Sequence, residues 1–234
     1  MSDEALTWLP RQSDDAGLGL RERKKRQMRA QLASAATRLF LDRGFDAVRV
    51  SDIAAACGVS EKTVFNYFPS KEALLLQRFE STWTALGAAL ADPAVPPVRA
   101  TQNTLSEHLN ALTGWMESHP DPREAVAEVH RFQELSLSTA GLRAHQLERA
   151  EQLTVLTAQL LAGRAGTSPD DPRVQIAAVS LTGLWRVHSA GLTRCLGAGA
   201  GPLEIRDRVT DDVARAAEVI TAALEPFSPT TFPA

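Results

Sequence analysis

SDIAAACGVSEKTVFNYF, residues 51–68, holds two short apolar periodicities on either side of a glycine. Ile53, Ala54 and Cys57 recur at helical spacing and give the first segment an inner face. Gly58 supplies the positive φ that so tight a turn needs, and Val59 plugs the turn from inside. Ser60 is placed to cap the second segment, and Val64 and Phe68, four apart, seat it on the first. Short helix, glycine turn, short helix is the helix-turn-helix arrangement. Thr63, Asn66 and Tyr67 are left on its outer side. A B-DNA major groove accepts one α-helix whose polar groups reach base edges and phosphates, so this face is a candidate DNA reader.

Cations flank the element. Arg21, Arg23, Lys24, Lys25, Arg26 and Arg29 precede it, and Lys71 opens the helix that follows. Such groups grip phosphate without reading sequence. The 234-residue chain has a formal net charge of −3, yet residues 21–78 carry 12 Lys/Arg against 6 Asp/Glu while residues 79–234 carry 12 against 18. A small basic segment joined to a larger acidic one points to a polyanion-binding end and a body with a different task. Charge by itself leaves nucleic acid and a membrane surface both open.

Helical periodicity continues on both sides, and no segment sustains the apolar/polar alternation of a strand. Met28, Leu32, Ala35, Ala36, Leu39 and Phe40 share one face before Gly44, and Lys71 opens a helix reaching Leu90. Residues 91–98, with three prolines, read as a connector. Leu105, Leu109, Leu112, Trp115 and Met116 form the next stripe, Ala125 to Phe132 another, and Leu142 to Leu161 a longer one. AGRAGTSPDD, residues 162–171, reads as a loop, followed by helices near 172–196 and 203–224 separated by GAGAG. The expectation is an all-α protein of about nine helices. Its expected division is a flexible N-terminal extension at 1–20, a helix-turn-helix domain at 21–70, a helical body at 71–225 and a tail at 226–234.

Composition narrows the class. With 44 % apolar and 23 % charged residues, and 14 Gly and 13 Pro scattered along the chain, a fibrous or wholly disordered protein is excluded. No apolar run approaches the ~20 residues of a membrane helix. The acidic start lacks a signal-peptide core, so a cytoplasmic protein without membrane attachment is expected. Two cysteines, Cys57 and Cys195, exclude a disulfide scaffold and a cysteine-only zinc site.

From about Arg26 to Leu75 the chain resembles the TetR-type bacterial transcriptional regulators, most plainly in LFLDRGFDAVRVSDIAAACGVSEKTVFNYFPSKEALL, residues 39–75. Gly44-Phe45, Ile53-Ala54, Gly58-Val59-Ser60, Thr63, Tyr67-Phe68 and Lys71-Glu72-Ala73-Leu74 carry the likeness. The resemblance implies that Thr63, Phe65, Asn66 and Tyr67 meet DNA, that Lys71 binds a phosphate, and that the body binds a ligand and dimerises. Two residues depart from the pattern. Phe65 stands where a Tyr is usual, which replaces a phenolic hydrogen bond by an apolar contact suited to a thymine methyl. Arg49 stands where a Thr commonly caps; it cannot cap, but at that helix start it can pair with a phosphate.

One helix-turn-helix reads only a few base pairs, so specificity calls for two, related by two-fold symmetry on a palindromic operator in double-stranded DNA. The helices near 172–196 and 203–224 are the expected homodimer interface, two apolar stripes meeting their copies in a four-helix bundle. The expected function is therefore a repressor released by a small-molecule effector. His108 and His188 lie on apolar stripes, as core or pocket histidines, and Trp115, Met116, Phe132 and Trp185 read as core residues of which some line an effector cavity. No histidine pair has the i, i+4 spacing of a metal site, and no phosphate loop, GxSxG or HExxH motif appears, so no metal, cofactor or catalysis is expected. Two further readings are a helical small-molecule-binding protein or enzyme with an incidental helix-turn-helix, and a membrane-surface protein using residues 21–29.

Overall fold

A computed structural model describes residues 19–224; the expected flexible start (apart from Gly19 and Leu20) and the expected tail lie outside the described residues. The described residues form nine α-helices and no strand: α1 (Leu20–Arg43), α2 (Val50–Ala56), α3 (Glu61–Tyr67), α4 (Lys71–Ala91), α5 (Pro97–Ser118), α6 (Pro122–Ser138), α7 (Ala140–Ala165), α8 (Pro172–Gly197) and α9 (Pro202–Leu224). The all-α expectation stands.

Three boundaries differ, each for a local reason. Helix α1 starts at Leu20, inside the segment assigned to the extension. Helix α5 starts at Pro97, inside the expected connector, because proline at the first helical position gives up only an N–H that has no intrahelical partner. Helix α7 runs through Arg164 into the expected loop. There the Arg164 guanidinium donates to the carbonyls of Leu90 (3.0 Å), Val95 (2.9 Å) and Asp92, so the α4–α5 connection is tied to the end of α7. Gly166, at φ +61°, then ends the helix.

The described chain falls into two compact units. The first comprises the described residues up to Phe79 together with Arg131–Gln146, and the second Glu80–His130 together with the described residues from Leu147 onward. The first turns of α4 and the α6–α7 corner are grouped with the helix-turn-helix.

In the first unit Leu32, Ala36 and Phe40 of α1 pack with Phe45, Val48, Ile53, Val64, Phe68 and Leu75, all at most 5 % exposed. Each large apolar side chain so buried contributes about 1.5–3 kcal/mol. Cys57, expected in this core, is only half-buried.

In the second unit α9 packs on α8 and α5. A Cβ at Gly191 would come within 3.1 Å of Asp212 and 3.4 Å of Val209, so glycine permits the close α8–α9 approach. Arg206 of α9 donates to Thr113 Oγ1 of α5 at 3.1 Å and pairs with Glu117. This packing covers much of the two expected stripes from within the chain, while Trp185, Ala216 and Ile220 stay half-buried. Val174, Ala177, Ala178, Leu181, Leu184 and Leu192 of α8, and Val209, Val213, Ala217 and Leu224 of α9, are buried within the chain's own core. The large apolar side chains left exposed on these helices are Ile176 (64 %), Val179 (53 %), Leu203 (62 %) and Val219 (80 %).

Candidate functional site

Helix α3 has seven residues, so its ends decide where it sits. At its start, Ser60 Oγ accepts the Thr63 N–H at 3.1 Å and meets Thr63 Oγ1 at 2.9 Å. At its finish, Arg29 of α1 donates to the Tyr67 carbonyl at 2.6 Å, reaches Gln77 Oε1 of α4, and lies 4.5 Å from the centre of the Phe68 ring. A cation on terminal carbonyls complements the helix dipole. Arg29 is therefore a clamp joining α1, α3 and α4, although it was grouped with the phosphate-gripping cations. Its position three before Leu32 and seven before Ala36, on the buried face of α1, is the signal that sets it apart.

With both ends held and Val64 buried, α3 turns Phe65 (52 % exposed) and Asn66 outward, while Thr63 and Tyr67 are half-buried. Arg49 is exposed at the start of α2. It makes no side-chain cap; instead its own N–H donates to the Asp52 carboxylate at 2.8 Å, which supplies half of a capping box. Arg21, Arg23, Lys24 and Lys25 are exposed along the start of α1. Lys71 is placed differently from a free phosphate ligand. Its ammonium donates to the carbonyls of Phe45 (2.6 Å) and Val48 (3.1 Å) and stands 4.2 Å from the Phe45 ring centre.

The effector candidates separate. His108 of α5 and Trp185 and His188 of α8 come together: ring centres are 5.2 Å apart for His108–His188, 5.6 Å for His108–Trp185 and 5.5 Å for Trp185–His188, the last pair stacked at 16°. Trp83 of α4, missed in the sequence reading, stands edge-on to Trp185 at 6.3 Å. Met116 is fully buried, Trp115 pairs with His119 at 5.5 Å, and Phe132 lies in the first unit, 6.2 Å from Phe79. Burial holds His108 down at about 4 and His188 at about 3, the second opposed further by charge on His108. Both imidazoles are neutral at pH 7. A cleft of about 560 Å³ between the Arg43–Ala47 turn and the α6–α7 corner contains none of the candidates. Among the described residues no three His, Cys, Asp or Glu side chains gather as a metal ion requires.

Residues 32–77 match the pattern of the bacterial regulatory proteins of the tetR family, and residues 107–196 match the MftR C-terminal domain. The HTH-type transcriptional regulator TcmR of Streptomyces glaucescens is 32 % identical over 185 residues, covering 77 % of this chain and 81 % of that protein. The chain belongs to the TetR family.

A second relative of this TetR-family protein, the HTH-type transcriptional repressor DhaR of Mycobacterium sp. (strain GP1), is 35 % identical over 91 residues, or 37 % of this chain and 46 % of that one. A crystal structure of NalD, the secondary repressor of the MexAB-OprM multidrug efflux pump in Pseudomonas aeruginosa, aligns with 82 % of this chain and 97 % of its own at 20 % identity and TM-score 0.49. The family pattern over residues 32–77 and the relative TcmR together make this chain a DNA-binding transcriptional regulator. Its family match contains Arg49, Ser60, Thr63, Phe65, Asn66, Tyr67 and Lys71, whereas Arg23, Lys24 and Lys25 precede that match.

Proposed function

We propose that this TetR-family regulator is a homodimeric repressor that binds a palindromic operator and is released by a small-molecule effector. The observation that carries the reading is the outward pair Phe65–Asn66 on a helix held at both ends, with exposed cations at Arg49 and at the start of α1. An exposed phenylalanine beside a polar reader is poorly hydrated in water and well matched to a thymine methyl in the groove, while Asn66 can hydrogen-bond a base edge. The cations supply the affinity that does not depend on sequence. In this reading Thr63 and Tyr67 contact the backbone, Ser60 positions Thr63, and Lys71 offers phosphate the one N–H that the turn leaves over.

Two such helices need two chains. Because the main stripes of α8 and α9 are spent inside the chain, the dimer contact falls on what they leave exposed, Ile176 and Val179 of α8 with Val219 of α9. The effector binds among His108, Trp185 and His188, with Trp83, and favours a state whose recognition helices are wrongly spaced for successive major grooves. By linkage, operator DNA then weakens effector binding by the same factor. The regulator works in the cytoplasm, where its DNA is, and performs no catalytic step. No described helix is long and apolar enough to cross a membrane.

Selection from a random duplex pool at ~150 mM salt tests this reading, since non-specific binding falls steeply with salt. Enrichment of a two-fold-symmetric sequence is the expected outcome. Retention without enrichment, lost as salt rises, would overturn it.

A further inference from the structure

Helix α3 turns Glu61, Lys62, Phe65 and Asn66 outward, and all four are exposed. Phe65 and Asn66 belong to the reading above; Glu61 and Lys62 do not. Among the described residues, neither the Glu61 carboxylate nor the Lys62 ammonium has a hydrogen-bond or ion-pair partner. The first turn of α3 is fixed by other groups. Ser60 Oγ accepts the Thr63 N–H at 3.1 Å, and the Ser60 carbonyl accepts the N–H groups of Thr63 (2.9 Å) and Val64 (3.2 Å). Just before it, the Val59 N–H donates to the Ala54 carbonyl at 3.0 Å. Arg29 and Lys71 spend donors on carbonyls of the fold. The charges of Glu61 and Lys62 are left unspent, on a backbone held in place by its neighbours.

Residues four apart lie one above the other on a helix face, about 6 Å apart at about 1.5 Å per residue. The four outward side chains therefore form two neighbouring rows, Glu61 with Phe65 and Lys62 with Asn66. Successive base pairs of B-DNA are about 3.4 Å apart, so the two members of a row meet pairs about two steps apart. The rows also match each other in chemistry. An ammonium suits the O6 and N7 acceptors of guanine, and a carboxylate suits the N4 amino group of cytosine, the base that pairs with guanine. An asparagine amide suits the N6 and N7 edge of adenine, and a phenyl ring suits the methyl group of thymine, the base that pairs with adenine. Lys62 and Asn66 thus ask for purines, and Glu61 and Phe65 for their pyrimidine partners. We propose that Glu61 and Lys62 are specificity determinants that read the two bases of one G·C pair, about two steps from the A·T pair met by Phe65 and Asn66, with both purines on one strand. A carboxylate is repelled by the phosphates and gains only where a base donates to it, so Glu61 acts chiefly by rejecting other bases. The inference rests on the reading of α3 as the DNA reader, and it adds the base pair that the helix selects.

The test is selection from a random duplex pool with the full wild-type chain and with Lys62→Met, Glu61→Ala and Asn66→Ala, each variant checked for unchanged helicity. The wild-type half-site is expected to hold a guanine and an adenine on one strand, about two steps apart. Lys62→Met and Glu61→Ala are each expected to lower the preference for that G·C pair, and for no other, by about tenfold, the scale of one base contact. Asn66→Ala is expected to relax the A·T pair while the G·C pair stays selected. A wild-type half-site without a G·C pair at that distance overturns the proposal, as does relaxation at different pairs in Lys62→Met and Glu61→Ala. Uniform weakening by Lys62→Met, with the salt slope lowered by about 1 and base preference unchanged, would make Lys62 a phosphate contact and overturn it too. Each of these outcomes leaves the operator reading standing. Absence of any enriched sequence with the wild-type chain overturns that reading and the proposal together.

Discussion

A lysine ammonium has three N–H donors, and two of those on Lys71 are directed at main-chain oxygens of Phe45 and Val48, with the Phe45 ring beneath. The turn between α1 and α2 is therefore held by the same charge that the family pattern assigns to phosphate. The two roles are separable because they act on different observables. Lys71→Ala is expected to cost roughly 1–3 kcal/mol of folding stability, the range for lost charged hydrogen bonds to groups that stay partly buried. It is also expected to reduce the slope of log affinity against log salt by about 1, with equal weakening on all DNA sequences. Urea unfolding reads the first effect and duplex titration across salt reads the second. A lowered stability with an unchanged slope removes Lys71 from the DNA contacts and leaves it as the fastener of the turn. Arg29 shows the same economy in another place: a cation in a basic run that spends its donors on the carbonyl of Tyr67 and on Gln77.

At the level of the element, α2 begins without a side-chain cap, since a guanidinium has no acceptor to offer the first N–H groups. Asp52 repairs part of this by accepting the Arg49 N–H, which leaves the N–H groups of the first turn unserved by a side chain. Arg49→Thr is expected to raise stability by about 1 kcal/mol through a regained cap and, by removing a phosphate partner, to reduce the salt slope by about 0.9. Opposite signs in stability and DNA affinity would mark Arg49 as kept for binding; an unchanged slope would show that it touches no phosphate. The helices themselves were legible because buried positions recur at 3.6-residue spacing, so Leu32, Phe40, Ile53, Val64 and Phe68 could be assigned to a core from the sequence. Their partners were not, because periodicity tells which face is covered and not by what. That is why Phe132 and Trp115, on apolar stripes equivalent in kind to those of His108 and Trp185, pair elsewhere, with Phe79 and His119. The α8 and α9 stripes show the same gap: real, and largely covered by α5 and by each other. On the outer side of α3, Asn66 was legible from the periodicity and Phe65 only through the family resemblance, while Thr63 and Tyr67, expected outward, are half-buried.

For the whole molecule, the exposed residues of α8 and the buried histidines lead to separate expectations. Ile176→Asp places a charge on the apolar surface that α8 leaves uncovered, and is expected to yield monomers by sedimentation with helicity unchanged. Monomers from Val219→Asp but not from Ile176→Asp would move the contact to α9. The histidines couple stability to acidity. Burial lowers His108 to about 4 and His188 to about 3, so in the folded chain both resist protonation that the unfolded chain accepts near 6.5. As pH falls through 6.5 the unfolded state binds more protons, and stability falls; well above 6.5 neither state is protonated and nothing is lost. Each histidine contributes up to about 1.4 kcal/mol per pH unit inside that window, so the pair removes roughly 3 kcal/mol between pH 6.5 and pH 5. Asp171, held down at about 2 chiefly by its hydrogen bonds with Arg173, loses its contribution only in more acidic solution and does not overlap. Urea midpoints measured from pH 8 to pH 5 are therefore expected to be level down to about 6.5 and then to drop, with a shallower drop in His188→Phe. A wild-type curve that stays level to pH 5 would mean that water or a protein group reaches these imidazoles in solution.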